Sequence, residues 1–299
     1  MQDKLAYKFK GAGHEEPEKK REYKKPDKRL QEAFEKWLNE GHHFVVYEKW
    51  YRYAEQLLKN ISANIDETHS LLLTAPDDLI RYAGFFVSAV YNKSPENHII
   101  FDVSIPAAHI GHRLAKGKTL VVLSATGHDL GKSAKGTVLN YGNSDYEEGY
   151  KCEGLHINYG SSKGEFGRHA FGTVINMGKQ YDLHMIPGTP GYLIDFAKTE
   201  NDTDWGKLAE DALGYSDPQS PYQDMKPFEI RNYTIEHMLT HEEKKIPELW
   251  DYLMQLKQIL EQGRDYKKAF EIVDSFGPEP AKTIKTTIDD IFKRNGYEI

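Results

Sequence analysis

Gly131-Lys132-Ser133 ends a glycine-bearing turn that follows the apolar run 120–123. These are the residue types of a phosphate-binding loop, in which backbone N–H groups wrap the phosphates and a lysine reaches them. That loop needs four residues between its glycines, and here Gly127 and Gly131 enclose three. It must also open a helix, whereas 133–139 has no helical periodicity and reads into another strand. The expectation is a turn between strands, not a nucleotide site. His109-Ile110-Gly111-His112 has the letters of the class I aminoacyl-tRNA synthetase signature, but no nucleotide-binding α/β pattern surrounds it. His237 and His241 stand four apart and would share one helical face. The general-base position of His-Glu-x-x-His is filled by Met238, so they read as surface histidines. A looser set offers acid/base chemistry: His128, Asp129, Lys132, Glu147, Lys151, Glu165, Arg168, His169 and His184. His156 reads as a packed or surface residue.

What must position this set is a repeat. "GTVLNYG" occupies 136–142, "GLHINYG" 154–160 and "GTVINMG" 172–178, a period of 18 residues. Stepping backwards reaches 118–124 and then 100–106, and stepping forwards reaches 190–196. The steps define columns: aliphatic (Val103, Val121, Leu139, Ile157, Ile175, Leu193), amide (Asn140, Asn158, Asn176), small (Ala134, Cys152, Ala170) and glycine (Gly131, Gly149, Gly167). A parallel β-solenoid explains them, since each turn adds a strand about 4.8 Å above the last and equivalent side chains stack. The aliphatic column is expected to fill the core, the amides to form a ladder, and the glycines to turn corners at φ > 0. Columns then bring Lys132, Lys151, Arg168, His169, His128 and Glu165 towards one face, with Arg168 above Tyr150 and Lys132.

A left-handed hexapeptide helix wants aliphatic residues every six positions. His109, Gly127, Asp145, Lys163 and Tyr181 fill those places, so that fold is excluded. The glycine punctuation of 160–172, "GSSKGEFGRHAFG", resembles the glycine-rich β-helix at the C-terminal end of the glutamate synthase large subunit, and a domain in a formylmethanofuran dehydrogenase subunit. The "INYG" box resembles repeats of uncharacterised archaeal proteins. The resemblance covers about a third of the chain. It implies a scaffold domain without catalytic residues, and it carries no individual residue's role.

The fold class expected is α+β: a parallel β-solenoid of about five to six 18-residue turns over 98–200, flanked by helical segments. A basic flexible arm is expected over 1–27, a helical cap over 28–97, a linker over 201–230 and a helical region over 231–299. In the cap, Leu30, Ala33, Phe34, Trp37 and Leu38 fall on one helical face, and Trp50, Ala54, Leu57, Leu58 and Ile61 on another. Thr74-Ala75-Pro76-Asp77 reads as a capping box opening the next helix. Solenoid ends need such caps. Helical patterns near 235–262, 265–275 and 279–295 suggest a C-terminal bundle or a second cap, with Gly263 and Gly296 as C-caps.

The chain has 299 residues, net charge −7 and one cysteine. No apolar run reaches membrane-spanning length, and a single cysteine leaves no internal disulfide; a cytoplasmic protein is expected. Charge is uneven, with +4 over residues 1–30 and −11 over the remainder. Lys19, Lys20, Arg21, Lys24 and Lys25 lie in "KKREYKKPDKR" (19–29), an arm able to hold nucleic acid or an acidic partner. The reading is a non-catalytic binding or scaffold protein with a protein partner, no membrane association and no cofactor. One alternative is a solenoid enzyme acting on carbohydrate or acyl substrates through the charged face. Another is a nucleic-acid-associated protein that uses the arm.

Overall fold

The structure is a computed structural model and describes residues 23–41, 46–62, 64–77, 79–103, 105–164, 166–180, 192–195, 247–262 and 265–294. Four helices come first: α1 (Lys28–Gly41), α2 (Tyr47–Leu57), α3 (Ile65–Leu72) and α4 (Ile80–Lys93). Nine strands follow: β1 (His98–Phe101), β2 (Thr119–Val122), β3 (Thr137–Asn140), β4 (Asn143–Ser144), β5 (Leu155–Asn158), β6 (Ser161–Ser162), β7 (Thr173–Asn176), β8 (Lys179–Gln180) and β9 (Tyr192–Asp195). Then come α5 (Pro247–Gln262), α6 (Tyr266–Ser275) and α7 (Pro280–Arg294). The long strands form one parallel sheet in the order β1-β2-β3-β5-β7-β9, and the short ones a second, β4-β6-β8. This is a β-solenoid. About four complete turns lie among the described residues, fewer than the five to six expected.

The central register is the one the repeat predicts: Val121 pairs with Leu139, Leu139 with Ile157, Ile157 with Ile175, and Asn140 with Asn158. The period fails at both ends. Ile100, not Val103, pairs with Val121, because the first turn carries extra residues. Ile194, not Leu193, pairs with Ile175.

The columns also face differently from the expectation. Val121, Leu139, Ile157 and Ile175 point out of the coil, where Leu253, Leu256, Phe270, Val273 and Ile284 of α5–α7 bury them. The interior is filled by the alternate positions. Leu120, Val122, Leu130, Ala134 and Val138 join the core of the N-terminal helices, and Val174 packs with Cys152, Phe166 and Ala170. Strands β2, β3, β5 and β7 are buried throughout. A strand covered on both faces reads as a near-continuous apolar run, so the sequence pattern alone does not separate inside from outside.

The INYG box now has a physical account. Asn140 donates from Nδ2 to Asn158 Oδ1 (3.2 Å), and Asn158 to Asn176 (2.9 Å), with all three fully buried. Each Oδ1 also accepts from the backbone N–H two residues on, at Gly142, Gly160 and Gly178. Tyr141 and Tyr159 stack outside at 4.6 Å and donate their hydroxyls to the α5 carbonyls of Leu256 and Leu253. The following glycine is demanded by backbone approach: a Cβ on Gly160 would overlap the carbonyl oxygen of Gly142.

The N-terminal helices cap the first coil. Gly84 lets α4 settle onto the Ala108 carbonyl. Ser88 Oγ donates to the His109 carbonyl (2.9 Å) and accepts from His112 N–H (3.0 Å). Asn92 bonds the Arg113 carbonyl and the Ala115 N–H. Four backbone groups at the edge of the first coil are thereby paired. Helices α5–α7, expected as a C-terminal bundle or a second cap, lie along the flank of the large sheet rather than over an end. Thr74 does not cap α4: it donates to the Leu71 carbonyl at the end of α3, and α4 begins at Ile80. Helix α3, which the periodicity did not reveal, is capped by Asn64.

Candidate functional site: the face of stacked turns

Opposite the large sheet, each coil is closed by consecutive tight turns. In successive coils His112 N–H bonds His109 O, Lys132 N–H bonds Asp129 O, and Tyr150 N–H bonds Glu147 O. Left-handed residues recur at every second position, and only one of the three columns is glycine: Gly111, Gly131, Gly149 and Gly167. The others are His109, Asp129 and Glu147, then Arg113, Ser133, Lys151 and His169. A non-glycine residue in this conformation costs roughly 1–2 kcal/mol. The neighbouring coils hold it there through inter-turn bonds such as Lys151 N–H to Arg168 O and Ser133 N–H to Tyr150 O.

This arrangement brings most of the predicted set together. Asp129 and Glu147 form an acidic column beside the column Lys132, Tyr150, Arg168. Lys132 Nζ lies 3.0 Å from Asp129 and 3.8 Å from Glu147, and Arg168 lies 3.8 Å from Glu147. Lys132 and Lys151 both sit over the Tyr150 ring, at 4.7 and 5.1 Å. His169 meets Tyr150 edge-on, and His128 stacks on Tyr146 at 5.6 Å. Tyr146 is 51% exposed and Phe171 60%. Glu165 and His184 lie outside the described residues, as do His237, His241, Gly263, Gly296, and Lys19, Lys20 and Arg21 of the arm.

The phosphate-loop reading of 127–133 is excluded by this geometry. The segment is a run of stacked turns, β3 rather than a helix follows it, and the Lys132 ammonium is engaged by two carboxylates. Residues 23–27 of the basic arm dock on the cap. Lys24 pairs with Glu67 at 2.9 Å, and Tyr23 donates to Asp102 at 3.0 Å; Lys25 is exposed.

The signature-like histidines are internal. His109 stacks on Phe85 at 3.9 Å, with Nδ1 3.0 Å from Asp129. Burial lowers its pKa, working against the neighbouring carboxylate. Burial opposes ionisation of Asp129, yet the contact with His109, together with Glu147 and Lys132, holds its carboxyl below the usual range. His112 lies between Tyr51 and Phe85, neither ring nitrogen has a hydrogen-bond partner among the described residues, and burial pushes its pKa down from 6.5 to about 3. Burial pushes the Cys152 thiol up to about 12, so it is an unreactive core group.

Sequence reasoning missed Glu148. It is fully buried inside the coil and accepts from Asn140 Nδ2 (3.0 Å), Ser144 Oγ and His156 Nε2 (2.8 Å). The available signal was a break in two columns: Glu148 follows Leu130, and His156 follows Val138. A separate cleft of about 500 Å³ lies where the coil rim meets the α6–α7 junction, lined by Lys116, Lys135, Thr137, Glu153, Glu279 and Lys282. Lys116 pairs with Glu279 across it, and Lys135 with Glu153 along its wall. Among the described residues no group of three or more histidine, cysteine, aspartate or glutamate side chains is placed to hold a metal, and no helix is long and apolar enough to cross a membrane.

No family model, curated protein or solved structure matches this chain.

Proposed function

We propose that the chain is a non-catalytic binding or scaffold protein whose stacked-turn face receives a protein partner. One observation carries the reading. The described outer face of the large sheet is covered by α5–α7 and the first coil by α4, while the turn face presents Tyr146, Tyr150, Lys132, Lys151, Arg168 and His128 in rigid columns. Aromatic and basic groups held at fixed spacing suit an interface anchor, since tyrosine and arginine are enriched among the residues that carry most of the binding energy. Acids and bases that neutralise one another within the face suit recognition better than proton transfer. The resemblance to scaffold β-helices of enzyme subunits points the same way, and the setting proposed is the cytoplasm.

The test is the triple variant Tyr146→Ala/Lys151→Ala/Arg168→Ala. Its circular dichroism and melting temperature should stay close to those of the unchanged protein. Crosslinking in the native cell, read by mass spectrometry, should yield a protein captured by the unchanged chain and lost by the variant. Identical capture by both would reject this face. Hydrolysis of glycan or acyl-ester substrates that disappears in the variant would establish the enzyme alternative instead.

A further inference from the structure

Consecutive coils of this solenoid are nearly interchangeable. If residues 154–171 were looped out, β3 could pair with β7, placing Val138 on Val174, Leu139 on Ile175 and Asn140 on Asn176. Every apolar, amide and glycine column would survive. The matching of columns between paired strands therefore does not distinguish the correct stack from one that has skipped a turn, and only the exposure of the looped-out Leu155, Ile157, Phe166 and Ala170 opposes the skip. A contact that is specific to one pair of coils would add to that penalty and mark the order.

Glu148 and His156 are the exception to the columns. The positions one turn from Glu148 hold Leu130 and Phe166, and those one turn from His156 hold Val138 and Val174; all four are buried. An apolar pair thus fits the same layers one turn away. A buried polar pair is often no better for stability than apolar residues of similar volume, whereas leaving one member without the other is strongly unfavourable. Glu148 belongs to the coil that starts at β3, and His156 to the next, which starts at β5. Skipping 154–171 would put Val174 where His156 now donates to Glu148, and skipping 136–153 would leave His156 without Glu148.

We propose that the Glu148–His156 pair is a register lock, a polar contact that makes skipped-turn stacks costly and so fixes the order of the coils. Buried polar groups set register in the same way in coiled coils. Ser144 and Asn140 hold the carboxylate in place on its own coil.

Two deletions of one whole repeat in the full chain test this. Removing residues 143–160 takes out Ser144, Glu148 and His156 together and joins Gly142 to Ser161 with all columns aligned. Removing residues 154–171 keeps Glu148 and takes away His156. Thermal melts should place the second about 10 °C or more below the first. Glu148→Leu, the residue type of its column neighbour Leu130, should restore most of that difference. Should the 154–171 deletion fail to fold, its Glu148→Leu version carries the test. In the full-length chain, Glu148→Leu/His156→Val should fold, with a loss of melting temperature limited to the acceptor that Ser144 Oγ and Asn140 Nδ2 forfeit. Its amides in 154–171 should exchange at least about tenfold faster than in the unchanged protein, as skipped-turn states become populated. Equal melting of the two deletions, no rescue by Glu148→Leu, or unchanged exchange in the double variant would each overturn the lock.

Discussion

At the scale of single residues, the solenoid rests on side chains that stack in register. Asn158 bonds Asn140, Asn176 and the Gly160 N–H at once. Asn158→Leu should cost about 1–3 kcal/mol in denaturant unfolding, because the Gly160 donor and the adjacent amides stay buried with a partner lost. A melt that does not move would contradict the ladder. Strain supplies the opposite sign at Lys151, whose φ is +54° on an exposed corner. Lys151→Gly should stabilise by about 0.5–1 kcal/mol, as relief of the left-handed backbone exceeds the added freedom of the unfolded chain. The glycine column was legible as corners. The non-glycine left-handed columns were not, since Asp129, Glu147 and Lys151 look like ordinary surface residues until the backbone places them. Glu148 was hidden for a related reason: a glutamate beside Glu147 reads as part of a solvated run, and only its column shows that it points inwards.

At the scale of elements, the question is how helices attach to a stack of coils. Two tyrosine hydroxyls pin α5, so Tyr141→Phe/Tyr159→Phe should weaken docking by about 0.5–1.5 kcal/mol for each bond while leaving the coil intact. Faster amide exchange in α5 with little change in the β-strands would show it. At the other attachment, α4 encloses His112. Its pKa is depressed from 6.5 to about 3 by burial. Below 6.5 the unfolded chain takes up a proton that the folded chain refuses, so folding stability falls as pH drops from 6.5 towards 3 and stops falling from this group below that. The slope reaches about 1.4 kcal/mol per pH unit for one such group. His112→Phe should flatten denaturant stability across this window; an unchanged slope would place the acid sensitivity elsewhere. Apolar periodicity made α1, α2 and α4 legible. It failed for α3, where Glu67, Thr68 and His69 are buried alongside Leu71 and Leu72, so no apolar stripe marks the face. The capping-box reading failed because Thr74 bonds backwards to Leu71 and not forwards.

At the scale of the whole molecule, the 18-residue period revealed the architecture but not its sidedness. Periodicity reports that Val121, Leu139, Ile157 and Ile175 share an environment, and it is silent on whether that environment is the coil's interior or the underside of three helices. It also breaks wherever a turn carries extra residues, which is why Val103 and Leu193 seemed to continue a column that runs through Ile100 and Ile194. The period itself makes a quantitative demand. In a solenoid each coil contacts mainly its neighbours, so removing residues 143–160 should shorten the stack by one coil and leave a folded protein. Helices α5–α7 span several coils, so the loss of stability should exceed one coil's share. Removing only residues 143–151 shifts every later coil by half a period. Asn158 and Ile157 would then face turn residues, and Gly160 would no longer meet the Gly142 carbonyl. That chain should be unfolded or aggregated on gel filtration, with the β signal lost from circular dichroism. Equal folding of the nine- and eighteen-residue deletions would mean that stacking in register does not hold this molecule together.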